Sequence, residues 1–165
     1  MDYETLIRRA ATDMDALETL YRALKGDVLA VAYGILRSFP HAEDVVQETF
    51  IRLPQAAHRY KGGDGRVFVL RIARYAALES YRAAKRQIPV GELPEQAADA
   101  PDPSGGIAVR QALGRLNAAE RQVVVLRFYS DLKFGDIARI LRCPEGTVKW
   151  RCNRALEKLK AYIQE

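Results

Sequence analysis

The sequence predicts an all-α protein of two small helical domains joined by a flexible linker. Apolar residues recur at spacings of three and four along most of the chain, the stripe of an amphipathic helix and not the alternation of a strand. The segment 88-IPVGELPEQAADAPDPSGG-106 holds four of the seven prolines and three of the eleven glycines, a composition that no packed element accommodates. The flanking lobes, 1–87 and 107–165, sit near the small end of what folds alone. With 48% hydrophobic residues in 165, they need no metal or disulfide to hold a core.

In the first lobe, Leu17, Leu20, Leu24, Val28, Val31 and Ile35 predict one long helix from Met14 to Arg37, or two joined near Gly26, ended by Phe39-Pro40. A second helix, 41-HAEDVVQETFIRL-53, is expected with Ser38 or a neighbour as its cap and Pro54 as its stop. Val46, Phe50 and Leu53 face inward. Asp44, Gln47, Glu48 and Ile51 form an outer patch that periodicity alone reads as solvated surface. A glycine-rich loop, 60-YKGGDGR-66, is too irregular for a phosphate fingerprint but short enough in side chains to wrap a ligand's backbone.

The third helix, 66–86, carries more chemistry. Arg71, Arg74, Arg82 and Lys85 fall within about 60° on a helical wheel, with Tyr75, Leu78 and Tyr81 in or beside the stripe. The opposite face is small: Val69, Ile72, Ala73, Ala76, Ala77, Ser80, Ala83 and Ala84. Cations interleaved with rings suit phosphates and unstacked bases; tyrosines completing a core beside solvated arginines is the plainer alternative.

In the second lobe, Asn117 and Glu120 spell a capping box that opens a helix over 118–129. Phe134, Ile137, Ala138 and Leu141 place a second helix over 134–141. The break 142-RCP-144 then leads into 144-PEGTVKWRCNRALEKLK-160, with Pro144 in the first turn. Two short helices across such a turn, the second basic, form a helix-turn-helix pattern, whose second helix commonly enters the major groove. Val148, Cys152, Ala155, Leu156, Leu159 and Ile163 gather on its inner face, with Tyr162 at the edge. Glu145, Thr147, Lys149, Trp150, Arg151, Asn153 and Arg154 are left to face DNA. The chain's only tryptophan, Trp150, thus lies opposite the core. It is suited to a thymine methyl or sugar in the groove, to a regulatory protein, or to a neighbouring lobe, with the Arg154 stem alongside in each case.

Charge supports a polyanionic partner. The net +5 divides into +3 over residues 1–87, −4 over the linker and +6 over 107–165. Such an asymmetry favours nucleic acid, although a solvated basic face has the same composition. The longest apolar runs fall short of the ~20 residues that span a bilayer, and the N-terminus lacks a signal-peptide pattern, so a cytoplasmic protein is expected. Cys143 and Cys152 have neither zinc spacing nor bridging geometry, and packing is the expected use of both. His41 and His58 lack metal-ligand company, and no carboxylate pair or nucleophile constellation points to catalysis or to a cofactor.

At these residues the chain resembles a bacterial RNA polymerase sigma factor of the extracytoplasmic-function (ECF) family. The likeness covers both lobes. The stretch 42-AEDVVQETFIRL-53 is similar to the family's helix that docks on the polymerase β′ clamp, which implies core-polymerase contacts at Asp44, Gln47, Glu48 and Ile51. The stretch 70-LRIARYAALESYR-82 is similar to the helix that reads the −10 promoter element, which implies roles for Arg71, Arg74, Tyr75, Tyr81, Arg82, Lys85 and Arg86. Residues 116–159 are similar to the module that reads the −35 element.

The chain departs from the family pattern at Phe68-Val69, where a Trp-Leu pair is frequent, and at Tyr75, where Asn is. Arg142 replaces the turn glycine, Lys133 a capping serine, and Trp150 the serine of Gly-Thr-Val-Lys-Ser-Arg. The resemblance implies a non-enzymatic specificity subunit that binds core polymerase and promoter DNA under an anti-sigma factor. It also implies a linker that imitates nucleic acid near the polymerase active site. Two alternatives stay open on the residues themselves: a stand-alone helix-turn-helix regulator, and a helical protein-interaction module.

Overall fold

In a computed structural model of the chain, residues 1–86 and 106–164 are described, and every regular element among them is helical. The expected linker over 88–106 lies outside the described residues except for Gly106. In the first lobe, α1 (Tyr3–Ala10) is a short helix that the apolar spacing did not predict. Only Ile7 and Ala10 bury, and Asp2 starts it by accepting a hydrogen bond from the Thr5 amide at 3.1 Å.

Helix α2 (Met14–Leu36) is unbroken through Gly26. It ends on Arg37 in the left-handed region at φ 54°, two residues ahead of Phe39-Pro40, which open the next helix instead of closing this one. Gly26 and Gly34 serve close approach to the second lobe. A Cβ on Gly26 would stand 3.2 Å from the Tyr129 hydroxyl, and one on Gly34 would stand 3.1 Å from Val125 Cγ2.

Helix α3 (Phe39–Ala57) is capped by Ser38, as expected, but runs through Pro54. Proline removes one backbone donor and strains one turn. Here Leu53, Ala56 and Ala57 are buried on both sides of it, and that packing carries the helix a turn further than its local preference. Val46 and Phe50 face inward with them.

Helix α4 (Gly65–Arg86) buries Val67, Val69, Leu70, Ala73, Ala76 and Ala77 against α2 and α3. The glycine loop before it takes part in the fold. Gly62 and Gly63 take φ of 96° and 90°, the Tyr60 hydroxyl donates to the Gly63 carbonyl, and Gly65 is packed beneath Tyr3 and Ile7.

The second lobe comprises α5 (Ile107–Gly114), α6 (Ala118–Val124), a π-helical turn (Val125–Tyr129), α7 (Phe134–Leu141) and α8 (Glu145–Ile163). The single helix expected over 118–129 therefore widens halfway, a change that periodicity does not signal. The capping box is present in both directions: the Glu120 amide donates to Asn117 at 2.9 Å and the Asn117 amide to Glu120 at 3.0 Å.

Burial of Glu120 pushes its carboxyl pKa up, but Lys158 at 2.8 Å and the Asn117 amide outweigh this and hold it below the usual 4.5. Its contribution to stability is therefore present above pH 4.5 and lost as pH falls through the depressed value. Asn117→Ala should cost about 1 kcal/mol, seen as a lower melting temperature at pH 7.

On α8, Val148, Cys152 and Ala155 are buried. Leu156 and Ile163, expected inside, are 42% and 76% exposed. The short α5 reaches only far enough to pack Leu113 beside Leu159, and beyond it Arg115 lies over the Tyr162 ring at 4.7 Å while Ile163 stays exposed.

The two lobes share one core. It runs from Ile7, Leu24 and Leu70 into Val125, Leu132, Ile137, Val148 and Cys152. Arg66 spans the junction, pairing with Asp27 at 3.0 Å and donating to the Ser130 carbonyl at 2.6 Å. Arg121 donates to the Gly34 carbonyl at 2.8 Å and to the Leu116 carbonyl at 3.1 Å. It forms no ion pair with a carboxylate among the described residues. Burial and the nearby Arg37 charge lower its pKa to about 10.

Candidate nucleic-acid interface

Arg142 closes α7 in the left-handed region at φ 54°, the conformation a glycine would supply without the roughly 1–2 kcal/mol that a side chain costs there. The Cys143 amide returns to the Ala138 carbonyl at 3.1 Å, and Pro144 caps α8 with an extended backbone. This turn points the first two turns of α8 outward. Glu145, Lys149, Trp150, Asn153 and Arg154 are exposed, and Thr147 and Arg151 are half-buried. Five of the seven expected DNA-facing residues are thus exposed, while Thr147 and Arg151 are only partly so.

Trp150 is 61% exposed, with the Arg154 guanidinium 5.6 Å from its ring centre. Of its three expected uses, covering the other lobe does not occur in this arrangement. Lys149 pairs loosely with Glu145 at 3.5 Å. Beside them opens a groove of about 470 Å³ lined by Arg127, Lys133, Asp136, Arg139, Glu145 and Lys149. Its four cations outnumber its two acids. Arg127, Lys133 and Arg139 join this surface only through the fold, and no helical wheel of α8 could have found them. Lys133 makes no side-chain cap to α7, as expected from its lack of an acceptor.

The stripe on α4 is divided by the second lobe. Tyr81 is half-buried, while Arg82, Lys85 and Arg86 at its C-terminal end are exposed. Towards the N-terminal end, Arg71 Nε donates to the Arg139 carbonyl at 2.9 Å. The Arg142 guanidinium sits 5.5 Å over the Tyr75 ring, and Arg74 Nε is buried without a hydrogen-bond partner. Tyr75 is nevertheless 45% exposed, so the half-buried Arg71 and Arg74 are what depart from the expected open stripe.

On α3, Asp44, Gln47 and Ile51 are exposed, Ile51 to 70%. Glu48 is half-buried beside Arg52, whose Nε lies 2.7 Å away and whose other arm reaches Glu79 at 2.6 Å. Glu79 and then Glu48 raise the Arg52 pKa above its ordinary value. The four side chains form a contiguous acidic, amide and apolar surface.

Comparison with known proteins fits both lobes. Residues 20–87 match Sigma-70 region 2 and residues 112–161 match Sigma-70 region 4. The ECF RNA polymerase sigma factor SigM of Mycobacterium tuberculosis is 32% identical over 169 residues, covering 98% of this chain and 84% of that one. SigC of the same species is 30% identical over 154 residues, covering 88% and 82%. The chain belongs to the ECF family of RNA polymerase sigma factors. Proteins of this family are non-catalytic factors that direct transcription initiation.

The sigma fold also agrees with solved relatives. The sigma factor RpoE of Bartonella quintana, crystallised with the anti-sigma factor NepR, superposes with a TM-score of 0.78 at 25% identity, covering 92% of this chain and 98% of that one. CnrH, solved with the cytosolic domain of CnrY, shares the fold at a TM-score of 0.75 and 23% identity, covering 98% and 96%. Both cysteines of this sigma factor are free, and burial pushes the Cys152 thiol pKa up, away from reactivity. No helix among the described residues is long and apolar enough to cross a membrane.

Proposed function

We propose that this sigma factor binds the core polymerase β′ clamp through Asp44, Gln47, Glu48 and Ile51. The tyrosine and arginine stripe of α4, from Arg71 to Arg86, captures the −10 strand, and the exposed face of α8 reads the −35 element as duplex. The observation that carries this reading is the order of the two matched regions together with a basic, outward-facing second helix in a helix-turn-helix. Polymerase fixes the distance between the lobes, so two weak DNA contacts become one bivalent contact. The linker over 88–106 imitates nucleic acid inside the enzyme through its four acids. An anti-sigma factor competes for the same exposed surfaces, Trp150 among them.

In vitro transcription with purified core polymerase on a promoter library tests the whole reading. Initiation from a defined class of spaced elements is the expected result. Tight promoter binding without polymerase would favour a stand-alone regulator instead.

Within the −35 contact, Arg151 and Arg154 should separate. Arg154 is exposed, whereas Arg151 leans back towards Cys143 at 3.9 Å. Arg154→Ala should weaken binding similarly on all sequences and reduce the salt slope by about one, the signature of a lost phosphate contact. Filter binding at several salt concentrations on cognate and scrambled duplexes measures both quantities.

A further inference from the structure

Trp150 and Arg154 stand one turn apart on α8, with the Arg154 guanidinium 5.6 Å from the centre of the Trp150 ring. Among the described residues no carboxylate or carbonyl bonds that guanidinium. The next turn nevertheless offers a competing partner. Lys158, placed on α8 as far beyond Arg154 as Trp150 lies before it, reaches the Glu120 carboxylate at 2.8 Å, and the charge of Arg154 itself helps to lower the Glu120 pKa. Arg154 thus stands between a ring and a carboxylate.

We propose that Trp150 is a positioning residue: its ring holds Arg154 towards the first two turns of α8, where a DNA phosphate can take it, and away from Glu120. This rests on the reading of α8 as the −35 helix.

The chemistry of the pair suits that role. Helical side chains lean towards the N-terminus, so residues at i and i+4 meet on one face. Arginine carries a planar head on a flexible stem, and stacking on a ring leaves the N–H groups at the edge of that head pointing outward. A carboxylate takes those same N–H groups in pairs and so removes them from a phosphate. The ring orders the cation without neutralising it, which no acidic neighbour could do. Serine, frequent at this position in the family, has no face to offer. Trp150 is 61% exposed, so its replacement leaves the core untouched. A neutral ring releases no counterions, and any effect of Trp150 on salt dependence must therefore pass through a cation.

The test uses holoenzyme reconstituted from the full chain and core polymerase, titrated at several salt concentrations on a duplex promoter recovered from the library. Trp150→Ser and Trp150→Leu should each weaken binding about two- to fivefold, the size of an exposed cation–ring contact, and flatten the salt slope in the direction of Arg154→Ala. Trp150→Tyr, which keeps a ring, should restore both. In an Arg154→Ala background, Trp150→Ser should cost nothing more. In the free chain, NMR should show the Arg154 Hδ protons shifted upfield by the ring in the parent and in Trp150→Tyr, but not in Trp150→Leu.

A loss that leucine repairs, or one that persists at full size beside Arg154→Ala, overturns the proposal, because the ring would then touch DNA itself. An unchanged salt slope in Trp150→Ser overturns it too, as does an Arg154 signal without the ring shift in the parent. Each of these outcomes leaves the −35 reading of α8 standing. If the parent holoenzyme fails to distinguish the promoter from a scrambled duplex, that reading falls and takes the proposal with it.

Discussion

Reversing two charges on α3, Asp44→Arg with Glu48→Arg, should weaken binding to core polymerase at least a hundredfold while leaving the fold intact. A hundredfold loss corresponds to about 2.7 kcal/mol, within the range reached when like charges are forced together in a desolvated interface. The cost to the free protein is small because both side chains leave the core untouched. Asp44 is exposed, and Arg52 keeps its bond to Glu79 at 2.6 Å after Glu48 is lost. Exposed ion pairs of this kind contribute about 0–1 kcal/mol. A binding titration with core enzyme and a thermal melt of the free chain measure the two effects separately. Unchanged affinity would move the docking surface away from α3.

The helices with long, one-sided stripes could be read from sequence because each buries a face against a partner supplied by the same lobe. Leu20, Leu24, Val28 and Ile35 on α2 and Val46, Phe50 and Leu53 on α3 all lie inside. The outward face of α8 was equally readable, since Trp150 opposite Val148, Cys152 and Ala155 leaves one arrangement of the helix. What escaped depends on neighbours remote in sequence. The continuation of α3 past Pro54, the packing of Gly65 under α1 and the exposure of Leu156 and Ile163 are set by which helix lies across each site.

The division of the α4 stripe is the clearest case. Arg71 and Arg82 occupy the same side of one helix, yet one is bonded to the second lobe and the other is exposed. A wheel gives direction around an axis. It carries no information about what stands at each height along it.

The same contact explains why two lobes of modest size form one core. Each alone would expose the apolar surface at the seam, where Val125 approaches α2 at Gly34. Burial removes about 25 cal/mol for each Å² of apolar surface covered, and closure recovers that in the absence of polymerase.

Gly65→Val should be the most damaging single substitution outside the binding surfaces. The first residue of α4 is buried beneath α1: an added Cβ would lie 2.7 Å from Tyr3 Cβ, 2.7 Å from Ile7 Cδ1 and 3.1 Å from the Tyr3 carbonyl carbon. Ile7 is fully buried, and packed interiors leave few voids for a displaced side chain. The backbone of Tyr3 is anchored by the Asp2 cap and by its place in α1. The two γ-methyls of valine enlarge the clash, so α1 must lift from α4 or the α4 start must shift away from the Tyr60 loop.

Overpacking of this kind costs about 3 kcal/mol at the upper end of its usual range, which lowers the melting temperature of a chain this size by about 6–12 °C. Gly146→Ala is the contrasting control. It lies in the first turn of α8 with nothing within 4 Å of the added Cβ, and there alanine's helical preference should raise stability by about 0.5 kcal/mol. Calorimetry on both variants decides the matter: a Gly65→Val protein that melts with the parent would mean that α1 does not rest on α4 in solution.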